Sequence, residues 1–258
     1  MAAPSFTVDQ ALLTNITCYV ESYMANYDPS HDFKHIQRVL GLAQHIQART
    51  PNTALPIVQL AALLHDVGDS KYLQPGQDAS RLVHDVLRSF GASEPLAEKV
   101  QAICLGVSYS SEVKDPAGVA RLIEQHPELA VVQDADRLDA IGAVGIGRAF
   151  AFGGARNRDM DQTMEHFEEK LVRLGAMMKT DEGTRLAGER TERIKSMMEW
   201  WRLETGGEVS LLPQAPRQPQ LRLASGNVPI ARTVLLRTSL RDALPSEIPL
   251  IDISPTFH

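Results

Sequence analysis

Between Val8 and Glu204, apolar residues recur at intervals of three and four, the spacing that places them on one side of an α-helix. Few stretches show the two-residue alternation of a half-buried strand. The segments with the helical pattern are residues 8–26, 33–49, 54–66, 78–90, 94–107, 118–126, 137–152, 160–179 and 183–204. Stretches rich in Pro, Gly, Asp and Ser separate them, as expected where helices end and begin. The sequence therefore predicts an all-α helical bundle.

One segment has two interpretations. "LAVVQDAD", Leu129 to Asp136, reads as helix or as a short buried strand that ends in two aspartates. A strand would suit an α/β phosphatase with an aspartate nucleophile. No strand–helix alternation surrounds the segment, however, and a parallel sheet needs several strands. We expect a helix, with the strand as the alternative.

The character of the chain changes after Gly206. Seven of the fifteen prolines lie beyond it, and "LPQAPRQPQ" interrupts any regular element. We therefore expect residues 1–205 to form one domain and residues 206–258 to form a Pro-rich, irregular C-terminal tail.

Composition and charge limit the partners of the chain. A formal net charge of -6 without a Lys/Arg cluster argues against a nucleic-acid polymer or an anionic membrane, but allows a small anionic substrate. No apolar run approaches the roughly 20 residues of a membrane-spanning helix. The start "MAAPSFTVDQ" lacks the features of a signal peptide. We expect a cytoplasmic protein, with homo-oligomer formation left open, and buried free thiols at Cys18 and Cys104.

The dipeptide His–Asp occurs three times, and its context singles out one copy. His65–Asp66 directly follows the apolar run "AALL", where polar side chains are costly to bury unless something binds them. His84–Asp85 has neither such a run before it nor an acidic residue after it, and we expect a half-exposed helix pair. His31 and His35 share one side of a helix, so either could be the histidine that joins His65 and Asp66 in a site.

Other polar residues could complete a site around His65 and Asp66. His35 has Arg38 nearly one helical turn later, and Asp136 is followed at the same spacing by Asp139. Two imidazoles and two carboxylates form a mixed nitrogen–oxygen donor set. Such a set suits Mn, Fe, Co, Ni or Zn, whereas Mg or Ca prefers a site made only of oxygen atoms. These residues lie too far apart in the sequence to form a local fingerprint.

Three motifs in this order resemble the HD superfamily of metal-dependent phosphohydrolases. They are "HxxRV" from His35 to Val39, "AALLHDVGD" from Ala61 to Asp69, and "DADRLDAIGAVGIGRAF" from Asp134 to Phe150. The resemblance covers roughly residues 20–205 and includes "EHFEEKLVRL", Glu165 to Leu174. It implies an HD-type helical bundle and one divalent ion. The ligands that it implies are His35, His65, Asp66 and Asp136. Manganese is the favoured ion, with cobalt, nickel, iron, zinc or magnesium as alternatives.

Chemistry assigns roles to residues around this predicted centre. Asp69 follows Asp66 by three residues and would orient the attacking water or take its proton, with Lys71 as a second catalytic candidate. The candidates for neutralising phosphate oxygens are Arg38, Lys71 and Arg148, with Lys170 as a weaker one. Asp139 would hold a ligand histidine in its working tautomer, and His31 would lie in the cap region or behind the ligands.

The glycines of "IGAVGIGR" do not follow a dinucleotide-binding or P-loop pattern. We interpret Gly142, Gly145 and Gly147 as small residues that let helices pack closely and bring Arg148 near the metal. The resulting prediction is a metal-dependent phosphohydrolase that acts on a small phosphorylated molecule, with a nucleoside triphosphate favoured. The alternatives are an iron oxygenase of the same superfamily and a non-catalytic module that binds metal and nucleotide.

Overall fold

The computed structural model describes residues 8–206, except for Asn26 and residues 70–72 and 74–77. Every regular element in this part of the chain is helical, so the expected all-α fold is confirmed. The helices are α1 (Gln10–Tyr23), α2 (Phe33–Gln47), α3 (Leu55–Leu64), α4 (Leu82–Ser89), α5 (Glu94–Val107), α6 (Tyr109–Lys114), α7 (Pro116–Gln125), α8 (Glu128–Asp139), α9 (Gly142–Ala155), α10 (Met160–His166), α11 (Val172–Leu174) and α12 (Asp181–Gly206). A π-helical segment, Phe167–Leu171, precedes α11, and a 3₁₀ turn, Gly175–Met177, follows it.

Helix α3 forms the centre of the bundle. It packs against α1, α2, α5 and α8, and α2 and α8 also pack against each other. Its sequence "LPIVQLAALL" is apolar on all sides, as expected for a helix enclosed by neighbours. The last residues of α3 therefore end deep in the protein, next to α2 and α8.

Side-chain caps begin several helices. Asp32 precedes α2, and its Oδ1 accepts a hydrogen bond of 3.1 Å from the backbone N–H of His35. Asp9, Ser108 and Asp115 cap α1, α6 and α7 in the same way. Ser93 directly precedes α5 but makes no such bond. The cap at Asp32 fixes where α2 starts, and so places His35 in its first turn.

The structure corrects several predicted boundaries. "LAVVQDAD" lies entirely within α8, so the strand alternative is wrong. The chain also turns between Asp139 and Gly142, inside what the pattern predicts as one helix over 137–152. The predicted helix over 160–179 contains the π-helical segment and the 3₁₀ turn. Cys104 is buried as expected, whereas Cys18 is exposed.

The turn between α8 and α9 bends the chain by 72°. Gly142 begins α9 with φ +73°, a left-handed conformation that favours glycine. A Cβ on Gly145 would lie 2.2 Å from the carbonyl oxygen of Ala140, so this corner has no room for a side chain. Gly147, by contrast, faces open space, so close packing does not explain it.

Asp134 connects α8 to α12. Its carboxylate accepts hydrogen bonds from the backbone N–H groups of Lys179 and Thr180, at 2.8 Å each, and from the Thr180 hydroxyl at 2.7 Å. The first aspartate of "DAD" therefore has a structural role. The predicted tail, beyond Gly206, lies outside the described residues. No single helix of the described part has both the length and the apolar character to cross a bilayer.

Candidate metal centre

Three segments bring the predicted ligands together. His35 lies in the first turn of α2, and His65 and Asp66 directly follow the end of α3. Asp136 lies in the last turn of α8, two positions after Asp134. Because α2, α3 and α8 pack against one another, residues that are about 30 and 70 positions apart in the sequence become neighbours.

The donor atoms lie at the separations that a common ion requires. His35 Nε2 is 3.3 Å from His65 Nε2 and 3.3 Å from Asp66 Oδ2. Asp136 Oδ1 is 3.6 Å from His35 Nε2 and 3.7 Å from His65 Nε2. Ligand atoms about 2.1 Å from one ion are roughly 3.0 to 3.5 Å apart. His35, His65 and Asp66 therefore form a group that could hold a first-row divalent cation, and Asp136 Oδ1 lies slightly further from both imidazoles.

The other ring nitrogens fix the tautomers of both histidines. His35 Nδ1 is 2.8 Å from Asp139 Oδ2, and His65 Nδ1 is 2.9 Å from the carbonyl oxygen of Ala62. Both partners accept hydrogen bonds, so each Nδ1 carries the proton and donates it. Each Nε2 then presents a lone pair to the other, which is favourable only when a cation or a proton lies between them.

The burial of the cluster supports the same conclusion. Asp66 Oδ2 is buried and makes no hydrogen bond, although His35 Nε2 is close to it. A buried carboxylate oxygen of this kind is costly unless a positive charge binds it. Burial alone would raise the pKa of Asp66, but His65 and His35 hold it well below its usual range. The carboxylates therefore stay ionised and favour a positive charge in their midst.

The pKa of His65 shifts in the opposite direction to that of Asp66. Burial disfavours its charged form, but the nearby carboxylates of Asp66 and Asp136 outweigh that effect and raise its pKa to about 9. Burial also opposes ionisation of Asp136, and the two histidines nevertheless lower its pKa. The cluster thus attracts protons or metal ions to the space between its donor atoms.

Asp139 lies behind the donor atoms and contacts His35 and two arginines. Besides His35, it accepts hydrogen bonds from Arg38 Nε at 2.7 Å and Arg38 Nη2 at 3.0 Å. Arg148 Nη1 lies 3.1 Å from its Oδ2. Burial opposes ionisation of Asp139, but His35, Arg38 and Arg148 lower its pKa to about 2. Asp139 thus lies next to His35, and its role in holding a ligand histidine stays a prediction.

A cavity of about 570 Å³ opens over the cluster. Its lining includes Asp69, Arg148 and His31. Arg38 is not among the lining residues, because both contacts of its guanidinium are made to Asp139 instead of facing the cavity. Lys71 lies outside the described residues. Arg38 thus lies behind the centre at Asp139, and its contact with substrate stays a prediction.

The sequence does not indicate several residues that line the cavity. Tyr109, Phe152 and Arg158 belong to the wall of the cavity, as do Thr163 and His166. Their positions depend on how α6, α9 and α10 pack, and no local pattern in the sequence indicates them. His31 lies beside His35, with ring centroids 6.1 Å apart, and its Nδ1 is 2.6 Å from Ser30 Oγ.

Comparison with known proteins identifies the family of this chain. The HD domain family model matches residues 32–141, which include all four proposed ligands and Asp139. YpgQ of Bacillus subtilis, an uncharacterized protein, is 38% identical over 182 residues, covering 68% of this chain and 84% of YpgQ. The crystal structure of YpgQ in complex with ADP covers 76% of this chain and 96% of its own, with a TM-score of 0.61 and 36% identity.

Two further relatives differ in how much they share. An HD-superfamily hydrolase from Bacillus thuringiensis is 30% identical, covering 74% of this chain and 95% of its own, with a TM-score of 0.57. The 2-oxoglutarate-Fe(II) type oxidoreductase ppzC of Metarhizium majus is 77% identical over only 43 residues, which are 17% of this chain and 11% of ppzC. The chain therefore belongs to the HD superfamily and has the fold of its hydrolases.

Proposed function

We propose that this protein is a divalent-metal-dependent phosphohydrolase that acts on a small phosphorylated substrate, with a nucleotide as the favoured class. The observation that carries the proposal is the pair of Nε2 atoms, 3.3 Å apart, with carboxylate oxygens beside them. His35, His65, Asp66 and Asp136 would hold the ion. The mixed donor set favours manganese, with cobalt, nickel, iron, zinc and magnesium as candidates.

A divalent cation at this position supplies Lewis-acid polarisation of a phosphoryl oxygen and lowers the pKa of water. The chain itself supplies proton transfer and charge. Asp69 follows the ligand pair and lines the cavity, where its carboxylate can accept a proton from the attacking water. Arg148 also lines the cavity and can stabilise the charge that develops on a phosphate oxygen.

The position of Arg148 is fixed by two contacts. Its Nε donates a 2.7 Å hydrogen bond to the carbonyl oxygen of Ser30, and its Nη1 is close to Asp139. Nη1 is buried beside Asp139, so any contact with a substrate anion would come from the other guanidinium nitrogens. Lys71 is retained as a candidate for the same role from the sequence alone.

Two observations support a nucleotide. A cavity of about 570 Å³ has the size of a small-molecule site, and its wall carries the aromatic rings of Tyr109 and Phe152. The relative YpgQ was crystallised with ADP. Within this class we propose hydrolysis of a nucleoside triphosphate, by release of pyrophosphate or of a single phosphate.

The decisive experiment is a release assay for phosphate and pyrophosphate over nucleotides and sugar phosphates. It is run with Mn²⁺, Co²⁺, Mg²⁺ and with a chelator, in air and without oxygen. We expect turnover with Mn²⁺, none with the chelator, and no dependence on oxygen. Activity that needs oxygen would favour the oxygenase alternative. Tight metal and nucleotide binding without turnover of any substrate would favour the non-catalytic module.

A further inference from the structure

Positive and negative side chains occupy different parts of the cavity wall. The carboxylates among the described lining residues are Asp66, Asp69 and Asp136, all at or next to the metal centre. The described cationic residues of the lining are Arg148, Arg158 and Lys170. Arg148 belongs to the metal end through its contact with Asp139. Arg158 and Lys170 come from other elements, so they make a second positive region.

Aromatic rings orient these two cations. Lys170 Nζ lies 4.8 Å from the centroid of the Tyr109 ring, and Arg158 Cζ lies 5.6 Å from the centroid of the Phe152 ring. A contact of this type orients a cation over the face of the ring. Phe152 also contacts His31, at 5.7 Å between ring centroids, and His31 lies beside the ligand His35. Arg158 is therefore linked to the metal centre through rings that line the same cavity.

The backbone at Lys170 is unusual. The N–H of Val172 donates to the carbonyl oxygen of Phe167, the five-residue spacing of a π-helix. Such segments are rare and occur frequently at functional sites. Phe167 and Leu171 are buried on either side of Lys170, so the segment is anchored in the core. His166, at the end of α10, also lines the cavity, and burial together with the charges of Lys170 and Arg158 lowers its pKa. Lys170 and Arg158 therefore both lie near His166.

Building on the proposed function, we propose that Arg158 and Lys170 form a second anion-binding subsite, which holds phosphate groups of the substrate that do not contact the metal. The subsite selects substrates with two or more linked phosphates over monophosphates. Arg158 and Lys170 are then specificity-determining residues, and the reacting phosphate lies between them and the ligands on α2, α3 and α8. The chemistry recognised is a polyphosphate chain, whether it belongs to a nucleotide or is inorganic.

Calorimetry on the full-length chain in the presence of a chelator tests the subsite without turnover. The probes are inorganic tripolyphosphate, orthophosphate and a non-hydrolysable nucleoside triphosphate analogue. Arg158→Gln and Lys170→Gln should each weaken tripolyphosphate binding about tenfold, as expected for loss of one charge-assisted hydrogen bond. Orthophosphate binding should change less than about twofold. Lys170→Arg should restore the affinity, which excludes simple disruption of the π-helical segment.

The chain offers matched controls. Arg156 contacts the same Phe152 ring, at 5.2 Å, but does not line the cavity, and Arg173 is an exposed neighbour of Lys170. Arg156→Gln and Arg173→Gln should leave tripolyphosphate binding within about twofold of the original. Equal losses in the control variants, equal losses for orthophosphate, or unchanged binding in the Arg158→Gln/Lys170→Gln double variant would each overturn the proposal.

The two sources of phosphate give separate results. Equal losses for tripolyphosphate and the nucleotide analogue support a subsite that reads the phosphate chain. A loss confined to the analogue means that the cations contact the base or sugar, which overturns the assignment. If the variants behave as expected but no substrate is hydrolysed, the subsite stands and the proposed function fails. If the double variant hydrolyses substrate with unchanged kcat/KM and binds tripolyphosphate as before, the proposed function stands and the subsite fails.

Discussion

The pairs His65–Asp66 and His84–Asp85 have the same two residues in different surroundings. At the end of α3, His65 donates from Nδ1 to a backbone carbonyl and directs Nε2 towards a second imidazole. In α4, His84 has Asp85 Oδ1 at 2.8 Å from Nδ1 and Glu94 Oε1 at 2.9 Å from Nε2. The first ring keeps a lone pair for a metal ion, whereas both nitrogens of the second are bound by carboxylates.

The comparison shows what makes a histidine–aspartate pair suitable for metal binding. The side chains of His84 and Asp85 are 7% and 63% exposed, whereas those of His65 and Asp66 are 1% and 15% exposed. Burial therefore separates the two aspartates but not the two histidines. The two histidines differ in what their ring nitrogens contact. Nε2 of His65 faces a second imidazole, that of His35, whereas both nitrogens of His84 lie beside carboxylates. The variants below test this difference, in order of decreasing expected effect.

The largest difference is expected between the two aspartates. Asp66→Ala should abolish metal binding and reduce turnover by about 1,000-fold or more, because the ion loses a ligand and its charge balance. Asp85→Ala should leave both within about twofold, since Asp85 contacts no residue of the cluster. Metal titration, product release and far-UV circular dichroism measure these effects. Full activity of Asp66→Ala with intact helical content would disprove the ligand assignment.

The next variant asks whether the partner of Nδ1 matters. Asp139→Asn keeps the size of the side chain but removes the charge that holds the His35 tautomer, and metal affinity should fall by about 10- to 100-fold. Asp134→Asn, two helical positions before Asp136 on the opposite side of α8, is the matched control. It should lower the melting temperature and leave metal affinity unchanged. Equal metal affinities for the two variants would contradict the role given to Asp139.

Arg38 acts one contact further from the metal. Arg38→Ala should weaken metal binding by roughly 3- to 10-fold, less than Asp139→Asn, because Arg148 still lies beside Asp139. If Arg38 instead contacted the substrate, KM would rise while metal affinity stayed constant. Metal titration and steady-state kinetics on the same preparation separate these two outcomes.

The smallest effect concerns stability near His84. Hydrogen bonds from Asp85 and Glu94 raise the pKa of His84, against burial and the charge of Arg81. A raised pKa in the folded state stabilises the protein at pH values below that of the unfolded histidine, and this contribution is lost as the pH rises through the folded value. Denaturant unfolding of wild type and His84→Gln should therefore differ more at pH 5.5 than at pH 9. A difference that is independent of pH would show that His84 folds uncharged.

Much of the fold follows from the sequence because helix formation is largely local. The apolar period indicates α2, α3, α5 and α12 well, and caps such as Asp32 mark where helices begin. The break between α8 and α9 was missed because "DAIGAVGIG" keeps its apolar residues through the turn. The left-handed Gly142 and the contact of Gly145 with Ala140 are set by tertiary packing.

The metal centre was predicted through a resemblance, and the structure shows why the spacing alone was insufficient. Its residues meet because α2, α3 and α8 pack together, which no local pattern encodes. Asp134 and Asp136 illustrate the same limit. They are equivalent in the sequence, but about 200° apart around a helix, so one binds the backbone just before α12 and the other reaches the cavity. The cavity residues from α6, α9 and α10 depend on packing in the same way.

The corner between α8 and α9 also has a consequence for how this chain can vary. Since even a methyl group at position 145 would overlap the carbonyl of Ala140, a library randomised there should return glycine almost exclusively under selection for folding alone. An invariant glycine beside a catalytic cavity invites a chemical explanation, but here its invariance would report backbone geometry. Position 147, two residues further on and unobstructed, should accept many residues in the same screen.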